Sequence, residues 1–199
     1  DSYVLNRSNN PDDDDGRVKN SGIKVRQGFD GYDGSRDAWK LDSSNVTKSG
    51  TSVFAVTKQN LTGVSGVLTF SFYVKAGNVD WIRVNIYKSG GTFSNNYYDI
   101  KNGVVGANPT NGVKIETIDP VGNNGWYRVA VTVDQEVANV RIQIADGDES
   151  QYPPQGSFIY IQDAQLERGT AASSYIETGS PKNLFSNSNA LSHSDWAKN

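Results

Sequence analysis

Trp81, Arg83, Asn85 and Tyr87 alternate along the stretch WIRVNIYK, with Ile82, Val84 and Ile86 between them. A period of two puts the first set on one face of a strand and the second on the other. The same split recurs in NVRIQIAD, where Arg141 and Gln143 oppose Val140, Ile142 and Ile144. In FSFYVKAG, Tyr73 and Lys75 oppose Phe70, Phe72 and Val74. Sugars offer apolar C–H faces and many hydroxyls, so aromatic rings stack on them while guanidinium and amide groups hydrogen-bond them. Tyr73, Arg83, Asn85, Tyr87, Arg141 and Gln143 form such a set if their strands are neighbours in one sheet, with Trp81 and Lys75 at its rim. The plainer alternative is that they are ordinary outward residues of an antiparallel sheet. In WYRVAVTVD, Tyr127, Val129, Val131 and Val133 oppose Trp126, Arg128 and Ala130, and Trp126 is expected to pack in the core or at a sheet edge.

Acidic loops are the second chemical feature. NNPDDDDGR places Asp12, Asp13, Asp14 and Asp15 side by side, an arrangement that calls for a cation or abundant water. Calcium takes several carboxylates plus backbone carbonyls, and Asp12 and Asp14 are the candidate ligands here. The spacing is not that of an EF-hand loop, because counting back from Gly16 puts Pro11 at the first ligand position. FDGYDGSRD, with Asp30, Asp33 and Asp37, reads as Asp-Gly turns; ADGDES, with Asp146, Asp148 and Glu149, reads as a loop at the edge of a cleft.

Catalytic signals are weak. The single histidine, His193, has no nucleophile-elbow context near it. Paired carboxylates for glycoside hydrolysis are not evident on the aromatic–polar faces, Asp99 apart. No glycine-rich phosphate loop joins a strand to a helix. A non-enzymatic role is expected.

These residues need elements to hold them. The chain has 199 residues, with 20 Gly and 6 Pro, which favours tight turns over disorder. Short alternating segments rich in β-branched and aromatic residues run from SGIKVRQ to GSFIYIQDAQLE, separated by Gly, Asn, Asp and Ser clusters such as KSGGTFSNN and VGNNG. No segment keeps a helical period. The expected fold is all-β, a two-sheet antiparallel β-sandwich of the jelly-roll kind. A net charge of −3 without a basic patch argues against nucleic acid as a partner, and no apolar run is long enough for membrane insertion. There is no Cys and no Met. Thiol chemistry is therefore excluded, and the sequence is expected to be a piece of a longer protein.

Taken together and in order, TFSFYVKAG, WIRVNIY, YYDIKNGVVG, NGWYRVAVTV, VRIQIADGD and FIYIQDAQLERGTAASSYIETG resemble the carbohydrate-binding-module-like jelly rolls of phage tail, fibre and other virion proteins. They are also similar to the family 4, 9 and 22 type modules attached to secreted polysaccharide-degrading enzymes. The resemblance spans roughly 21–178 and implies a sandwich, a non-catalytic role and often glycan binding. It also implies that Asp163, in YIQDAQLE, stands where such modules hold a structural calcium ion between the chain ends, with Asp12 and Asp14 as its partners. An edge-strand aspartate without a metal is the alternative. Ligand residues do not carry over, because binding faces in this group vary.

Residues 1–180 are read as one module and 181–199 as a linker followed by the first strand of a further copy. NLFSNSNALSHSDWAKN resembles the opening of such a domain, and it partly echoes LNRSNNPDDDDGRVKN at the other end, about 180 residues away. That final strand, with Leu184, Phe185, Leu191 and Trp196, is expected to be packed on its own module or a neighbour, or else disordered. The expected function is recognition of a polysaccharide or cell-surface glycan, at the extracellular or virion surface, by tandem or neighbouring copies of the module. The alternatives are a structural spacer or decoration domain of a tail or capsid fibre, and an accessory module of a polysaccharide-degrading enzyme.

Overall fold

The computed structural model describes residues 3–4, 23–44, 55–88, 90–91, 93–107, 112–150, 153–175, 185–186 and 196–198. Asp12, Asp14 and His193 lie outside them. The strands are β1 (Tyr3–Val4), β2 (Lys24–Phe29), β3 (Ala38–Asp42), β4 (Ala55–Val64), β5 (Val67–Ala76), β6 (Trp81–Tyr87) and β7 (Phe93–Asp99), followed by β8 (Val104–Val105), β9 (Val113–Val121), β10 (Trp126–Asp134), β11 (Val137–Ala145), β12 (Phe158–Arg168), β13 (Phe185–Ser186) and β14 (Trp196–Lys198). Among the described residues there is no helix.

Sheet one has the order β2-β3-β12-β5-β10-β9 and sheet two the order β14-β4-β11-β6-β7-β8. Every pairing within both is antiparallel. The chain crosses repeatedly between sheets, as from β4 to β5 and from β5 to β6, which is the jelly-roll connectivity expected. β14 lies along the edge of sheet two beside β4, so the final strand pairs with its own module. β13 pairs parallel with β1.

The apolar faces read from the sequence form the core between the sheets. Phe70, Phe72 and Val74 of β5 and Val129, Val131 and Val133 of β10 meet Ile82, Val84 and Ile86 of β6 and Val140, Ile142 and Ile144 of β11. Each such side chain stabilises the fold by about 1.5–3 kcal/mol when fully buried.

β12 carries an extra residue. Gln162 pairs with Tyr73 and Gln165 with Ser71, so three steps on β12 match two on β5. The bulge sits at Asp163, whose φ is 52°. It shifts the alternation by one: Ile159 and Ile161 face the core before it, Ala164 and Leu166 after it. Without the extra residue Leu166 would leave the core and Gln165 would enter it.

Candidate functional site

The register separates the predicted sugar-binding set into two groups. Arg83, Asn85, Tyr87 and Trp81 are on β6 and Arg141 and Gln143 on β11, adjacent strands of sheet two. Tyr73 and Lys75 are on β5, in sheet one. Both groups point away from the shared core, so they lie on opposite faces of the sandwich. The expectation that Tyr73 and Lys75 join the others on one surface is therefore corrected. Alternation fixes which face of a strand a residue occupies, but not which sheet the strand joins.

On sheet two, cross-strand pairing lines the polar side chains up in rows, because directly opposed residues point to the same face. One row is Tyr97–Arg83–Gln143, the next Asn95–Asn85–Arg141, and Tyr87 stands beside Asn139 in a third. Arg83 is only 5% exposed, Asn85 1% and Gln143 2%. Trp81, Tyr87, Asn95, Asn139 and Arg141 are half-buried and reach the surface. Asn95 organises the centre: its Oδ1 accepts from Arg83 Nε at 2.9 Å, from Arg83 Nη2, and from Asn85 Nδ2 at 2.6 Å. The Arg141 guanidinium lies 3.9 Å from the Tyr87 ring centroid and its Nε donates to Asn139 Oδ1 at 3.1 Å. The Arg83 guanidinium lies 5.8 Å from the Tyr97 ring centroid. Cations over ring faces hold both groups in place.

The end of this face beyond Trp81 is closed by loops. A Cβ on Gly106 would sit 2.5 Å from Asp148 Oδ1 and 2.9 Å from the Trp81 ring, so only glycine lets the chain approach so closely. The next amide, Ala107 N–H, donates to both carboxylate oxygens of Asp148 at 2.8 and 3.0 Å. Burial raises the Tyr97 phenol above its ordinary value and the Glu149 and Asp148 carboxylates add to that, while Arg83 opposes it. The acidic loop 146–150 thus does border the aromatic–polar face.

The outer face of sheet one is organised differently. Tyr73 is 8% exposed, stacked on Tyr32 with centroids 3.6 Å apart. The Tyr32 amide donates to Gln162 Oε1 at 3.2 Å and its hydroxyl to Asp163 Oδ2 at 2.9 Å. Loop 30–37 is thereby clasped over the sheet. Trp126 is 2% exposed and packs with Ala38 and Tyr73 in a small second cluster on this face, in keeping with the packing role expected of it. Lys75 lies between Trp126 and Tyr160 in the register.

Asp163 is held by the Tyr32 hydroxyl, and its carboxyl is pushed up to about 6, first by burial and then by the Asp33 and Asp37 charges, while the Tyr32 bond and Arg128 oppose the rise. Burial, and next the Asp163 charge, push the Tyr32 phenol far above its ordinary value. Among the described residues no three His, Asp or Glu side chains gather to hold a metal. Calcium takes about 6–8 oxygen ligands, so Asp163 with its described neighbours does not make a calcium cage.

Asn95, Tyr97 and Asn139 were not singled out by sequence. β7 reads FSNNYYD, and Ser94 and Asn96 on its core side are fully buried. With polar residues on both faces, alternation has no apolar side to orient it. The run of Asn and Tyr two residues apart was the available signal.

No protein-family model matches the chain, and no curated protein matches it. Among solved structures it is similar to a candidate sugar-binding protein from Bacteroides thetaiotaomicron, at 15% identity. That match covers 84% of this chain and 95% of the other, with a TM-score of 0.37. A likeness of that size leaves the functional reading to the side chains.

Proposed function

We propose that this chain is a non-catalytic carbohydrate-binding module that takes a polysaccharide or cell-surface glycan on the outer face of sheet two. The observation that carries the reading is the register of β7, β6 and β11. It sets Trp81, Tyr87 and Arg141 on the accessible surface above a hydrogen-bonded layer of Arg83, Asn85 and Asn95. Rings that stack on a sugar and a guanidinium that bonds its hydroxyls are then fixed in advance, which lowers the entropy lost on binding. Arg83 and Asn85 are positioning residues in this scheme, and Tyr87 and Arg141 are the contacts.

A single site of this size binds weakly. Tandem or neighbouring copies on an extracellular or virion protein would supply avidity without any new contact. A glycan array followed by calorimetry on the best hit tests the proposal. Tyr87→Ala and Arg141→Ala should each weaken binding about tenfold or more with little change in melting temperature. A folded protein that leaves the array blank sinks it.

A spacer or decoration role is the second reading, and it too has an observation behind it. Arg83, Asn85 and Gln143 are nearly as buried as core residues, as expected where a polar layer serves rigidity rather than a ligand. Calcium belongs to the proposal only through Asp12 and Asp14, which would have to complete the set at Asp163. A chelator that leaves the melting temperature unchanged removes it.

A further inference from the structure

A second recess lies on the opposite side of the sandwich. It is a cavity of about 270 Å³ on the outer face of sheet one, where β9 and β10 meet segment 170–172. Two registered rows make its floor: Ala130–Thr117, and Thr69–Thr132–Ile115. The small side chain of Ala130 leaves the depth. The wall is a strap running on from β12. Thr69 Oγ1 donates to Gly169 O at 2.9 Å, and Glu167 accepts from the amide and the hydroxyl of Ser173, each at 2.6 Å. The strap is therefore fixed, and the recess is built rather than a gap left by a loose loop. Its volume falls just below the ~300–1,000 Å³ of sites for drug-sized molecules, the scale of one sugar ring.

Arg128 stands at one end. Its Nη2 donates to Ser71 Oγ at 3.2 Å and to Ser173 O, while its Nε is buried with no partner. The ion pairs among the described residues are Arg36–Asp30, Lys40–Asp42 and Lys101–Asp80, and Arg128 is in none. Asp119 is opposite Arg128 on β9 but exposed at the cavity mouth. Asp163 feels the Arg128 charge, yet its hydrogen bond is to Tyr32. The guanidinium also lies 5.2 Å from the Tyr73 ring centroid, and its Nε is out of a ligand's reach, so Nη1 is the donor left for one. A charged N–H favours a carboxylate above a neutral hydroxyl. Of the floor hydroxyls, those of Thr69 and Thr132 bond to each other and to the strap carbonyls of Gly169 and Thr170, which leaves Thr117 for a polyol ring.

We propose that this recess is a second, independent subsite, which accepts a single carboxylate-bearing sugar ring with its acid group on Arg128. It does not depend on the sheet-two face binding anything. The probe is sodium glucuronate, titrated into the full chain and followed by amide NMR shifts, with glucose as the neutral control. We expect a Kd on the order of 1 mM, with shifts at Thr117, Ala130 and Thr170, and a much weaker response to glucose. Ala130→Leu fills the floor without touching Arg128 and should abolish the shifts while the fold stays intact. Asp119→Asn removes a like charge at the mouth and should tighten glucuronate binding a few-fold. Tyr87→Ala, on the other face, should change nothing. No shifts up to roughly ten times that Kd, an equal response to glucose, or binding that survives Ala130→Leu would each overturn the proposal.

Discussion

On the outer face of sheet one, Gln162, Asp163, Glu167 and Arg128 direct their hydrogen bonds to chain segments laid across the sheet: loop 30–37 and the strap 169–173. On the outer face of sheet two, Arg83, Asn85 and Asn95 bond to one another along the sheet, and Arg141 braces Tyr87. Similar residue types thus do two jobs. Outside the recess beside Arg128, the first face uses polarity to fasten loops; the second uses it to hold side chains ready at a surface. A face rich in aromatic and hydrogen-bonding residues is therefore not by itself a binding site; what its donors are bonded to decides the matter.

The largest test of this contrast replaces an aromatic residue on each face. Trp126→Ala empties a buried site under loop 30–37 and should cost about 3–5 kcal/mol. Tyr87→Ala, half-exposed on sheet two, should cost less than about 1 kcal/mol. Urea denaturation measures both, and equal losses would erase the distinction.

Next in size is Asn95→Ala, which takes from the buried Arg83 and Asn85 the half-buried acceptor they share. A loss of about 1–3 kcal/mol is expected, because removing an acceptor from buried donors is costly. A loss near zero would mean that the layer is wet rather than interlocked.

The smallest effect is one of pH. The Asp163 carboxyl moves from its ordinary 3.8 up to about 6 in the fold. Between those values the folded chain binds its proton more tightly than the unfolded chain, so this group's contribution to stability falls as pH rises from about 4 to 6 and stays low above. Asp163→Asn removes the charge, keeps an acceptor for Tyr32, and suits a φ of 52°. It should raise stability at pH 7 by about 1–2 kcal/mol, with no gain near pH 4. Melting temperatures across that range decide it, and a pH-independent gain would place the cause in the backbone instead.

Much of this architecture is legible from alternation, because a period of two is what a half-buried strand imposes. Ile82, Val84 and Ile86, or Val140, Ile142 and Ile144, have no other place to go than the core. The partition between sheets is not legible in the same way. β5 and β6 follow each other closely, yet they belong to different sheets, so Tyr73 ends on the far side from Tyr87. The site suffers from the same limit: its centre, Asn95, comes from a strand whose two faces are both polar. The shift at Asp163 is hidden as well, since one added residue in a strand leaves no mark on composition. The resemblance pointed to Asp163 as a metal ligand; among the described residues its partner is the Tyr32 hydroxyl.

The position of β12 has a consequence in time. It fills the gap between β3 and β5 in sheet one, yet among the described strands it is the last long one. Until Phe158 and its successors emerge from the ribosome, β3 has no partner on that side and β5 shows a bare edge to its neighbours. Synthesis at ~5–20 residues per second leaves those edges open for on the order of ten seconds. The nascent chain must cross that interval without pairing with another copy of itself, and the strand that ends the interval also carries Gln162 and Asp163, the clasp for loop 30–37.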